Sequence, residues 1–147
     1  MATRKAYELT LQKKRNTGFD SVKLTNPKEM ADYARQFYFD DLTIYESVFI
    51  ILMNNNCKVI GYAKISQGGI TMAPVDFRLI CKYALDSLAT RLVIVHNHPS
   101  GNLRPSKDDD TFTFKTKSSL DMFDIKLLDS IILSDDDYYS YLDNEKL

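Results

Sequence analysis

The chain has 147 residues, 44% hydrophobic and 12% aromatic, with a formal net charge of −1. That length suits one domain, and that composition can bury a core, which excludes a low-complexity or disordered chain. The longest uninterrupted apolar run, Val48–Met53, falls far short of the roughly 20 residues a membrane helix needs, so no membrane span is expected.

The charge is unevenly placed: residues 1–28 carry a net +5 and residues 134–147 a net −4. A basic amino-terminal segment, residues 1–26, can touch phosphates, so a weak nucleic-acid contact is one expectation; a solvated terminal arm is the plainer one. Cys57 and Cys81 show neither CxxC spacing nor a disulfide framework, and no apolar stretch follows the basic residues of MATRKAYELT as in a secretory signal. A cytoplasmic, reducing compartment is expected.

In chain order, residues 5–12 (KAYELTLQ) partly alternate and suit an edge strand. Asn26, Pro27 and Glu29 mark a helix start as N-cap, first and third helical residues, and the helix is expected to run to about Phe39. Glu46–Met53 reads as a buried strand, Asn54-Asn55-Asn56 as a turn, and Lys58–Ser66 as the hairpin partner, with Gly68-Gly69 breaking the pattern. A second helix is expected over Val75–Ala89, with Val75, Leu79, Ile80, Tyr83 and Leu88 near its buried face and Asp76, Arg78 and Lys82 off it. Arg91–Val95 is a continuous apolar strand of the kind covered on both faces. A helix from Ser106 to about Met122 follows, then a strand in IKLLDSIILS, a turn at DDD and a short strand in YYSYL. Strands alternating with helices predict a single α/β layered domain over residues 27–147, a mixed β-sheet flanked by helices.

Both histidines of the chain fall in VIVHNHPSGNLRPSKDDD, residues 93–110. Alternation along a strand points His96 and His98 the same way, where two imidazoles can share one metal ion. Pro99, Gly101 and Pro105 turn the chain, and Ser106 with Asp109 matches the Ser-x-x-acid start of a helix. Asp108 and Asp110 lie about 100° to either side of Asp109 on such a helix, so one carboxylate faces back toward the histidines while its neighbours face away. Two histidines and one carboxylate are the ligand set of a catalytic zinc, which keeps a fourth position for water. Hydrolysis also needs a general base; Glu46, at the head of its strand, is one candidate. Ser106, even as an N-cap, keeps an O–H that can stabilise an oxyanion. Taken singly, Asp109 reads as a capping acid, Glu46 as a strand-end acid and the three aspartates as a solvated helix start.

HNHPSGNLRPSKDD resembles the JAMM motif of the JAB/MPN metalloprotease superfamily: His-x-His-Pro, a short loop, then Ser-x-x-Asp. The spelling HNHPSG…PS is characteristic of its RadC-like branch, historically labelled DNA repair proteins. VDFRLICKYAL and LLDSIIL…YYS look like that branch's helix and carboxy-terminal strands, and the likeness covers about residues 27–142. The resemblance implies His96, His98 and Asp109 as zinc ligands, Ser106 as the motif serine and Glu46 as the glutamate that polarises the metal's water. It also implies a cytidine-deaminase-like α/β fold and zinc-dependent hydrolysis of peptide or isopeptide bonds in an unidentified peptide or protein substrate. The branch usually has Asp-His where this chain has Asp129-Ser130. Its longer members carry an amino-terminal helix-hairpin-helix region, which this chain is too short to be expected to include.

Other readings are a DNA-associated repair factor or metal-dependent nuclease, supported only by the basic amino terminus, and a non-catalytic interaction domain. A deaminase is disfavoured, because the His-x-Glu and Pro-Cys-x-x-Cys signature is missing. The oligomeric state stays open.

Overall fold

The computed structural model describes Thr3, Lys5, Ala6, Glu8 and residues 18–38, 41–68 and 74–147. The elements are α1 (Pro27–Arg35), β1 (Ser47–Met53), β2 (Val59–Gln67), α2 (Phe77–Asp86), β3 (Arg91–Asn97), α3 (Lys107–Asp121), β4 (Lys126–Leu133) and β5 (Tyr138–Ser140). The strands form one mixed sheet in the order β2-β1-β3-β4-β5. β1 pairs antiparallel with both β2 and β3, β3 runs parallel to β4, and β5 returns antiparallel. A parallel pair needs a crossover, and α3 supplies it between β3 and β4.

Strand alternation divides the core in two. Phe49, Ile51, Met53, Val93, Val95, Ile131 and Leu133 join Met30, Ala34 and Phe37 of the α1 side. Val48, Ile50, Leu52, Leu92, Ile94 and Leu127 join Ile80 and Ala84 of α2 and Leu120 of α3. The central strands are buried on both faces, so they read as unbroken apolar runs.

Local signals set the element starts. Asn26 caps α1 through Glu29 N–H, with Pro27 in the first turn, and Asn54 Oδ1 closes the hairpin turn by accepting from Asn56 and Lys58 N–H. Element ends depart from expectation. α1 stops at Arg35, four residues before Phe39, because the following N–H groups bond three residues back rather than four. This tighter turn swings Phe37 and Tyr38 into the core. Asp76 is the N-cap of α2, accepting from Arg78 N–H, so the helix starts two residues later than expected. Its buried face also differs: Ile80 and Ala84 are buried, while Leu79, Tyr83 and Leu88 are 40%, 42% and 68% exposed. The small Ala84 sets the narrow contact stripe, and Leu88 lies past the cap at φ 58°, off the helical face altogether. β5 ends at Ser140, with Tyr141 and Leu142 in a turn.

The expected edge strand over residues 5–12 lies mostly outside the described residues; Lys5, Ala6 and Glu8 belong to no element. Half of the basic segment invoked for nucleic acid, residues 1–26, lies outside them too. Among the described residues no helix is long and apolar enough to cross a membrane.

Candidate metal centre

β3 runs two residues past the expected Val95. His96 pairs with Val48 of β1 and Ile132 of β4, and His98 N–H still bonds Leu133 O at 2.9 Å. Extended backbone through this stretch puts both imidazoles on one side. The chain then reverses: Gly101 adopts φ 83°, open to glycine at little cost, and its N–H bonds His98 O at 2.9 Å. The reversal brings Asn102 O to 2.6 Å from His98 Nδ1. A carbonyl only accepts, so Nδ1 carries the proton and the neutral ring presents the Nε2 lone pair to the site.

α3 begins beside this loop with a reciprocal cap. Ser106 Oγ accepts from Asp109 N–H at 3.0 Å, and Asp109 Oδ2 accepts from Ser106 N–H at 2.8 Å. The cap fixes the direction of the Asp109 carboxylate, which serves as more than a capping acid. Its Oδ1 lies 3.1 Å from His96 Nε2, its Oδ2 3.2 Å from His98 Nε2, and the two Nε2 atoms are 3.2 Å apart. Glu46, just before β1, completes the group: ligand-type atoms of Glu46, His96, His98 and Asp109 all lie within 4.8 Å of one another.

Two imidazole nitrogens and the two oxygens of one carboxylate, at 3.1–3.2 Å, repel unless a proton or a metal cation sits among them. Tetrahedral zinc with bonds of about 2.0–2.1 Å has ligand-to-ligand edges of about 3.3 Å, so the spacing fits such an ion. The residues therefore fit the zinc that the motif implies.

The two carboxylates are tuned apart. Burial pushes the Glu46 carboxyl above the usual 4.5, offset in part by the imidazoles. Burial also pushes Asp109 upward, but the bonds it accepts when protons occupy the imidazole Nε2 atoms win and hold it well below the carboxylate range. Burial pulls His98 down, yet the bonds to Asp109 and Asn102 leave it above 6.5. Two carboxyl groups whose environments separate their acidities suit different roles.

Two cavities share Glu46, Ser106 and Asp109 and flank the cluster. One of about 340 Å³ continues past His96 along Val48, Val75, Phe77 and Phe112 to Lys115. The other, about 400 Å³, continues past His98 to Thr43, Pro99 and Ser100.

All five residues singled out from the sequence, Glu46, His96, His98, Ser106 and Asp109, meet here. Asp110 turns away to accept from Tyr141 Oη at 2.7 Å, whereas Asp108 lines the first cavity rather than turning away. Ser130, standing where the RadC-like branch has histidine, is buried and shares a 2.9 Å hydrogen bond with Thr113. Sequence reasoning passed over Asn97, an amide fully buried between the two histidines. Its signal was available: a polar residue at a strand position whose face is otherwise apolar. It also passed over the wall of Phe77 and Phe112, whose rings lie 5.7 Å apart.

A mixed sheet flanked by helices, with two imidazoles and two carboxylates gathered where a strand end meets a capped helix, defines an α/β domain of the JAB/MPN type. The RadC-like JAB domain family matches residues 24–147, and the chain belongs to that family. It is 42% identical over 99 residues to a UPF0758 protein of Flavobacterium johnsoniae, covering 67% of this chain and 43% of that one. A UPF0758 protein of Streptococcus gordonii is 38% identical over 102 residues, 69% of this chain and 45% of its own length. UPF0758 protein NMC1174 of Neisseria meningitidis is 33% identical over 122 residues, 83% of this chain and 53% of its own length. The chain thus spans about half the length of the curated relatives it matches.

Proposed function

We propose that this domain is a zinc-dependent metallohydrolase that cleaves peptide or isopeptide bonds in a peptide or protein substrate. The observation that carries the reading is the 3.1–3.2 Å approach of His96 Nε2, His98 Nε2 and the Asp109 carboxylate, with Glu46 beside them and a cavity on either side. His96, His98 and Asp109 would hold the ion. Bound zinc acidifies a water to a pKa near 7 and polarises a carbonyl.

The remaining work falls to the chain itself. Glu46, half-buried and close to all three ligands, takes a proton from the attacking water and passes it to the leaving amine. Its raised pKa suits a group that must both accept and return a proton. Among the described residues Ser106 Oγ accepts the Asp109 N–H alone, which leaves its own hydrogen to donate to a developing oxyanion. The flanking cavities seat substrate on both sides of the bond, with an apolar side chain against Phe77 and Phe112. Cys57 and Cys81 are both free thiols, which suits a reducing, cytoplasmic setting.

The test is a screen of quenched-fluorescence peptides and isopeptides with zinc-loaded wild type and Glu46→Gln side by side. Hydrolysis by the wild type that falls by orders of magnitude to a slow residual rate in Glu46→Gln while zinc is retained is the expected result. Equal hydrolysis by both removes Glu46 as the base, and none by either refutes the peptidase reading.

A further inference from the structure

Asn97 sits between the two histidines, and its side chain enters the opposite face of the sheet. Strand alternation requires this: Val93 and Val95 precede it in the cluster under α1, while Leu92 and Ile94 precede His96 in the other. Asn97 is fully buried, yet it is not idle there. Its Nδ2 donates to Leu42 O at 2.6 Å and to Tyr45 O at 2.8 Å, and its Oδ1 accepts from Ser47 N–H at 2.8 Å. Two carbonyls and one N–H permit a single orientation of the amide, so the assignment follows from the partners. Every one of these partners is backbone, and the last two stand on either side of Glu46. The Glu46 carbonyl is itself held by Gly68 N–H at 2.8 Å, which leaves the side chain as the free part of the residue.

We infer that Asn97 is a positioning residue: it clamps residues 42–47 so that the Glu46 carboxylate stands at a fixed distance from the atoms of His96 and His98. One three-residue stretch, His96-Asn97-His98, thereby supplies two ligands on one face of the sheet and registers the base from the other. No other single side chain among the described residues bonds backbone on both sides of Glu46. The inference rests on the reading of Glu46 as the base. A shift of about 1 Å in a reacting group can cost roughly a hundred-fold in rate, which is the scale such a clamp controls.

The experiment compares wild type, Asn97→Ala, Asn97→Asp, Glu46→Gln and the Asn97→Ala/Glu46→Gln double variant, all zinc-loaded. Asn97→Asp keeps volume and the acceptor for Ser47 but loses both donors, so it carries the test if Asn97→Ala does not fold. Zinc content, amide exchange across residues 42–47, and kcat and KM on a peptide cleaved by the wild type are read together. The expected result is one zinc per chain throughout, faster exchange at Ser47 in Asn97→Ala and at Ile44 and Tyr45 in Asn97→Asp, and kcat down by roughly a hundred-fold with KM little changed. Asn97→Ala should cost nothing further on top of Glu46→Gln, since a residue acting only through the base has nothing left to act on. Wild-type kcat despite loosened exchange, or losses that add in the double variant, overturn the inference while leaving the base assignment intact. If wild type cleaves no peptide the hydrolase reading fails, and unchanged exchange across residues 42–47 in both Asn97 variants then overturns the clamp as well.

Discussion

The two faces of the sheet are built from alternate residues of the same strands, yet one is sealed and the other opens. Under α1 the packing is aromatic: Phe37 stacks on Tyr62 at 4.3 Å and meets Phe19, Tyr33 and Phe49 within 5.7 Å. Under α2 and α3 it is aliphatic, and beyond Ile94 it gives way to His96 and the cavity wall of Val75, Phe77 and Phe112. The sealed face supplies rigidity, and the open face spends it on holding charged groups together. Asn97 ties one to the other, because its amide sits in the sealed face while its neighbours point into the open one.

Mutation can break this division of labour. The largest expected effect is on the sealed face: Phe37→Ala, at a side chain 5% exposed, should cost about 3–5 kcal/mol in denaturant unfolding. Zinc per folded chain should not change; a parallel loss of zinc would show that the faces are not separable. A second, smaller effect sharpens the comparison through pH. In the metal-free protein the His98 pKa is raised above 6.5, so the stability it brings is complete below 6.5 and lost as pH rises through the raised value. Zinc demands deprotonated imidazoles, so its stabilisation grows over the same interval. Urea unfolding of both forms should therefore diverge with rising pH, and parallel curves would contradict the shared site. The smallest effect lies outside both faces. Leu88, exposed and held at φ 58° past the end of α2, should gain about 1 kcal/mol as Leu88→Gly, read by thermal unfolding.

The same contrast explains what the sequence disclosed. β1 and β3 were legible because burial on both faces leaves unbroken apolar runs, and the start of α3 because Ser106-x-x-Asp109 is a local device. The meeting of His96, His98 and Asp109 was legible because strand period and helix cap, both short-range rules, converge in the fold. The face of α2 was misread because a small residue, Ala84, made the contact while larger apolar neighbours stayed outside. The end of α1 was misread because Phe37 and Tyr38 continue the apolar spacing through a tighter turn. Asn97 itself was visible as a polar break in an apolar face, but its role escaped because its partners, residues 42–47, lie some fifty positions away.

The measurement that bears most directly on the central claim is the metal content of wild type, Glu46→Gln and Asp109→Asn, purified without chelator and dialysed against zinc. Three ligands closing around one ion predict a single zinc per chain in wild type and in Glu46→Gln, and a large loss in Asp109→Asn, with an unchanged circular dichroism spectrum expected for that variant. A metal-free wild type, or an Asp109→Asn variant that binds zinc as fully as the wild type, would contradict the account.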